Sequence, residues 1–137
     1  INASQPWEDT QNVAWKVAEG PTVLKHKGVY YLVYSANDFR NPDYAIGYAT
    51  ASSPVGPWKK YTGNPVLSRK DTGMNGPGHG DVLIDRDGKM IYVFHVHNSD
   101  TDVLPRKTAI ISIQFKKASG APDKIVALRS TFRLLKK

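Results

Sequence analysis

Residues 17–36 read VAEGPTVLKHKGVYYLVYSA, and residues 76–96 read GPGHGDVLIDRDGKMIYVFHV. The two stretches share a Gly-Pro opening, a Val-Leu strand and a turn ending in Gly28 or Gly88. Each then has a second strand, Tyr31-Leu-Val-Tyr34 in one and Ile91-Tyr-Val-Phe94 in the other. Gly28 and Gly88, like Tyr31 and Ile91, lie 60 residues apart. A period of that length, filled by three or four short strands, is the pattern of propeller blades. Such blades run to about 40–50 residues in common families and lengthen when loops carry insertions.

The rest of the chain fits the same pattern. Period-two alternation with β-branched and aromatic residues recurs in YAIGYATA (44–51), DVLID (81–85), KMIYVFHVH (89–97) and TAIISIQFK (108–116). No window carries a 3.6-residue amphipathic period. Gly, Pro, Asn and Asp clusters separate the strands: DFRNPD, SSPVGP, TGNP, TGMNGPGHG and DRDG. The expected fold is therefore all-β, about two blades of a β-propeller. An approach segment over 1–18 leads into one blade over 19–75 and a second over 76–137. WKKY (58–61) and KIVALRSTF (124–132) supply their outer strands. Two blades do not close a ring of roughly four to eight, so the remaining blades, or a second copy, are expected to cover the open faces.

Composition narrows the function. The 137 residues suit one domain, and no apolar stretch nears the roughly 20 residues of a membrane span, so no membrane partner is expected. No cysteine is present, which removes disulfides, thiolate nucleophiles and thiolate metal sites. The chain opens on Ile1 with no leader and reads as a cut end. The net charge of +7 invites a nucleic-acid reading, yet the lysines fall at turns (KHKG, WKK, FKK) and at the terminal LLKK, without a basic stripe interleaved with aromatics. No nucleic-acid partner is expected.

Chemistry-bearing residues cluster where strands begin. Glu19 precedes Gly20-Pro21, and His79 follows Gly76-Pro77-Gly78, at related places in successive blades. In a propeller the innermost strands line the axis, so the two should converge at the rim. A partly desolvated Glu19 suits proton donation, although a carboxylate that pairs with a lysine or caps a turn would look the same in sequence. His79 suits a metal ligand or a hydrogen-bonded turn histidine. His95 and His97 share one strand face, but no further ligand completes a zinc site, so a hydrogen-bonded face is the expectation. Trp7, Trp15, Trp58 and the tyrosines are expected mostly in the core, with Trp7 and Phe39, near the expected rim, the candidates for stacking against a ligand.

Taken in order, VAEGPTVLKHKGVYYLVYSA, PDYAIGYATASSPVGPWKK, GPGHGDVLIDRDGKMIYVFHVH and PRKTAIISIQF resemble the C-terminal blades of glycoside hydrolase family 43. These are five-bladed propellers that include α-L-arabinofuranosidases, arabinanases and β-xylosidases. QPWE (5–8) also looks like the approach to the family's glutamate, and the resemblance runs from Gln5 to Phe115. It implies that Glu19, in EGP, is the general acid. It implies that His79, in GPGH, helps hold a calcium or other hard ion at the axis, often through water. Arg106, just before the TAIISIQF strand, would contact the bound sugar.

The chain also departs from that family. The base aspartate and a second, tuning aspartate come from early blades, which this chain does not contain, and Gly80-Asp81 stands where Asn or Ser often follows GPGH. Asp38, Asp43, Asp81 and Asp85 read as turn or strand-edge residues rather than a replacement base. The resemblance thus implies part of an inverting hydrolase of arabinosyl, xylosyl or galactosyl linkages in plant polysaccharides, secreted or periplasmic and inactive as this segment alone. The alternative is a non-catalytic carbohydrate-binding or interaction propeller fragment.

Overall fold

The computed structural model describes residues 1–136. It is all-β, with two antiparallel sheets. The first contains β1 (Ala18–His26), β2 (Val29–Ala36), β3 (Ala45–Ala51) and β4 (Lys59–Lys60), paired in chain order. The second contains β5 (Gly78–Ile84), β6 (Met90–Val96), β7 (Lys107–Lys116) and β8 (Lys124–Ala127), again in order, with β9 (Arg133–Leu134) continuing beyond β8 along the same edge of β7. A 3-10 turn over Pro6–Glu8 and a single helical turn, α1 (Arg69–Thr72), are joined by a second 3-10 turn at Arg129–Thr131. None of the described helices is long and apolar enough to cross a membrane.

Both inner strands carry the same irregularity. In β1 the ladder pairs Glu19 with Ser35 and Thr22 with Val33, and in β5 it pairs Gly78 with His95 and Asp81 with Val93. Each inner strand therefore gains one residue over its partner, a bulge at the equivalent place. The bulged backbone turns left-handed at Gly20 (φ 59°) in β1 and at His79 (φ 53°) in β5. Gly20 has the permissive residue for this conformation, whereas His79 holds it at a cost of about 1–2 kcal/mol. The bulges abut: a Cβ on Gly20 would lie 3.2 Å from the His79 ring.

A single core joins the sheets. Tyr31, Val33, Ile46, Tyr48 and Leu67 from the first pack with Tyr92, Phe94, Val96, Ile111 and Ile125 from the second. Truncating a buried aromatic such as Phe94 to alanine would cost about 3–5 kcal/mol. Away from the bulges, Asp123 accepts hydrogen bonds from His26 (Nε2, 2.9 Å) and Lys27 (Nζ, 2.8 Å), while Tyr31 donates to its carbonyl at 2.9 Å. The His26 ring stacks on Phe115 at 3.8 Å.

Two expectations change. KIVALRSTF is not one outer strand: the regular ladder stops at Ala127, because Thr131 Oγ1 accepts the Ser112 amide and the 3-10 turn at Arg129–Thr131 interrupts the strand before β9 resumes along the same edge of β7. Trp15 is not core. It is 89 % exposed, in an approach segment with no strand beside it.

Candidate active site

Glu19 stands at the start of β1, one residue ahead of its bulge. Its Oε1 accepts a hydrogen bond from Tyr44 Oη at 2.7 Å and lies 4.0 Å from His79 Nδ1. The Glu19 and His79 side chains are 38 % and 53 % exposed, so both are open to a ligand. Among the described residues no hydrogen bond reaches Glu19 Oε2. The two groups meet as the sequence suggested, but their register differs by one residue: Glu19 corresponds to Gly78, and His79 to Gly20.

Tyr44, absent from the sequence-derived candidates, is fully buried. Burial and then the Glu19 carboxylate push its phenol well above the usual range, so it remains a hydrogen-bond donor. Ser35, opposite Glu19 in the ladder, accepts the backbone N–H of His79 at 2.8 Å. The sequence did contain a signal for this neighbourhood. GPGHG has more glycines than one turn requires, and glycine within a strand marks a close approach. A Cβ at Gly76 would meet the His97 ring at 2.1 Å, one at Gly78 the Tyr44 ring at 2.1 Å, and one at Gly80 the Val93 carbonyl at 2.2 Å.

Arg106 and Phe39 form the neighbouring part of the site. The Arg106 guanidinium carbon lies 5.2 Å from the Phe39 ring centroid and that of Arg40 5.8 Å, within cation–π range. Phe39 is held by its own carbonyl, which accepts a hydrogen bond from His97 Nε2 at 2.9 Å. Burial, followed by the positive charge of Arg106, holds His95 below the usual imidazole range and keeps it neutral at pH 7. His95 Nδ1 and Arg106 Nη1 are shielded from solvent and carry no hydrogen bond within the described chain.

Trp7 lies elsewhere. Its Nε1 donates to Gln5 at 2.7 Å and its ring covers Gly47, in a groove shared with Asp43 and Ala45. Asp43 and Ala45 flank Tyr44, and their side chains leave the opposite side of the strand. Among the described residues no three His, Asp or Glu side chains converge as a metal site. A hard cation takes six to eight oxygen ligands, which these residues do not provide by themselves. The nearest carboxylate on β5, Asp81, already accepts the Thr22 hydroxyl at 2.6 Å.

A propeller segment with an open carboxylate at the mouth of a bulged inner strand, beside a guanidinium over an aromatic ring, has the elements of a carbohydrate-active site. The profile of glycosyl hydrolases family 43 matches residues 2–122, and the chain belongs to that family. It is 36 % identical over 102 residues to an extracellular exo-α-(1→5)-L-arabinofuranosidase of Streptomyces avermitilis, covering 69 % of this chain and 21 % of that protein. It is 32 % identical over 102 residues to a β-D-galactofuranosidase of Aspergillus niger, covering 73 % and 29 %. An endo-1,4-β-xylanase structure from Bacteroides thetaiotaomicron superposes with a TM-score of 0.82 at 40 % identity, over 93 % of this chain and 42 % of that one. The chain therefore spans less than a third of the length of these two curated relatives.

Proposed function

We propose that this chain is the part of an inverting glycoside hydrolase that supplies the general acid, Glu19. The observation that carries the reading is the state of that carboxylate: one oxygen is held by Tyr44, the other is free, and the side chain is open at the rim. Glu19 delivers a proton to the glycosidic oxygen as the bond to the anomeric carbon breaks. A carboxylate base activates water on the other face of the sugar, typically about 6.5–9.5 Å from the acid. That base belongs to the rest of the parent enzyme. Within this chain Asp81 is engaged by Thr22, Asp38 by Arg40, Asp43 by Arg69 and Asp85 by turn amides.

Arg106 orients the sugar through its guanidinium group, with Phe39 as the apolar surface beside it. His79 stands close enough to organise water, or a water-mediated ion, beneath the sugar; no step of the reaction is routed through an ion. The substrates are arabinosyl, xylosyl or galactosyl linkages of plant polysaccharides. Relatives named as an arabinofuranosidase, a galactofuranosidase and a β-xylosidase support this range. The extracellular naming of the first supports a secreted or periplasmic parent. The segment alone, without a base, is inactive.

The test is turnover of aryl α-L-arabinofuranoside, β-D-xyloside and β-D-galactoside by the parent-length protein, its Glu19→Gln variant and this segment. Cleavage of one by the parent, with turnover on natural leaving groups lost in the variant and no cleavage by the segment, supports the reading. A parent that binds oligosaccharide but cleaves none, with binding unchanged in Glu19→Gln, overturns it.

A further inference from the structure

The geometry points to Tyr44 as the positioning residue that fixes which oxygen of Glu19 delivers the proton. This inference rests on Glu19 being the acid. Tyr44 is buried and ends on Glu19 Oε1 at 2.7 Å, reaching it from across the first sheet rather than from a neighbouring position in sequence. An ionised carboxylate only accepts, so the phenol must be the donor in that state. In the acid form the same bond is kept if the proton resides on Oε2. Oε1 then stays the hydrogen-bonded carbonyl oxygen, and Oε2, the oxygen without a partner, carries the proton toward the rim. A proton on Oε1 would instead require the phenol to turn its own hydrogen elsewhere in a packed interior.

The surroundings explain why Tyr44 holds one position. Its ring fills the space that a side chain at residue 78 would take, since a Cβ there would lie 2.1 Å from one ring carbon and 2.4 Å from another. Gly78 is the β5 residue in register with Glu19 itself. The second sheet thus gives up a side chain at that place and receives the phenol of the first. On the far side, the Ser35 hydroxyl is pinned by the His79 amide at 2.8 Å, which the left-handed turn at His79 aims toward it. Positioning of this kind belongs to proton delivery, because an acid that swings between rotamers reaches the leaving oxygen only part of the time.

The experiment uses the parent-length enzyme as wild type, Tyr44→Phe and Glu19→Gln. Two substrates of the same glycone are compared, an oligosaccharide with a poor leaving group and a dinitrophenyl glycoside whose leaving group needs no proton. Tm is measured alongside. Tyr44→Phe keeps the ring that packs on Gly78, so the fold is retained. Its kcat on the oligosaccharide is expected to fall roughly ten- to a hundredfold, the range for a hydrogen bond to a charged group, while the dinitrophenyl rate changes little. Equal losses on both substrates, or no loss on either, overturn the positioning role while a leaving-group-dependent loss in Glu19→Gln keeps the acid reading. If Glu19→Gln also shows no leaving-group dependence, or the parent cleaves neither substrate, the acid reading falls and Tyr44's role with it.

Discussion

The two inner strands, β1 and β5, share a backbone and differ in what they present. Each has a one-residue bulge against its partner, and each turns left-handed at the same step. On β1 the bulge opens with a carboxylate followed by glycine; on β5 it opens with a buried glycine followed by an exposed histidine. The same geometric device therefore yields an acid on one blade and a gap on the other, and the gap is where the first blade lodges the phenol that holds its acid. The contrast continues one strand out. Tyr34 and Phe94 occupy matching places, paired with Gly47 and Ala109. The Tyr34 hydroxyl donates to the buried Glu8 at 2.6 Å, whereas Phe94 packs near Phe132. The first sheet is tied together by polar contacts where the second relies on apolar ones.

The sharpest way to break this comparison is at the acid. In the parent-length enzyme Glu19→Gln is expected to lower kcat on a natural leaving group by roughly 100- to 10,000-fold, the usual range for a general acid, read by steady-state hydrolysis. Next is the polar tie of the first sheet. Glu8→Gln leaves the Lys60 ammonium, now 2.6 Å from that carboxylate, buried without its counter-charge, and is expected to cost about 3–5 kcal/mol in denaturant unfolding. A negligible cost from Phe94→Tyr, which places a hydroxyl at the apolar counterpart, would erase the distinction between the sheets.

Gly78→Ala collides with the Tyr44 ring and is expected to destabilise by about 1–3 kcal/mol. Gly28→Ala is open to solvent and carries only the left-handed penalty, about 1–2 kcal/mol, so any difference in activity between them isolates the displaced phenol. The smallest effect is with acid. Burial disfavours the ionised Glu8, but the Gln5 amide, Lys60, Tyr34 and the Ser4 amide outweigh it and hold its carboxyl below the usual range. Its contribution is thus complete above the ordinary glutamate range and lost as pH falls through the lowered value. Tm should decline below about pH 4 in wild type and more shallowly in Glu8→Gln.

Much of this was legible in the sequence, for reasons that locate what was not. Alternating β-branched and aromatic runs bounded by glycine turns mark the strands because each has one face on the shared core. Glu19 and His79 stand out because Gly-Pro punctuation sits at their strand mouths. Tyr44 does not stand out: its role depends on ladder register and on a glycine in another sheet, neither of which leaves a local pattern. The one-residue offset between Glu19 and His79 was hidden because the repeat was aligned on its turn glycines. The second hairpin's turn is one residue longer relative to the bulge than the first. The break between β8 and β9 was hidden because hydrogen bonds around Ser112 and Thr131, rather than apolar periodicity, interrupt the strand there.

In both sheets nearly every ladder joins strands consecutive along the chain, with β9 the exception. Each sheet is therefore a meander whose ladders close over short loops. Glu19, Ser35 and Tyr44 all precede residue 52, so the acid and its holder come into register with the first meander. The glycine wall at residue 78 belongs to the second meander, so the seat of the phenol is completed only where the two sheets meet over their shared core.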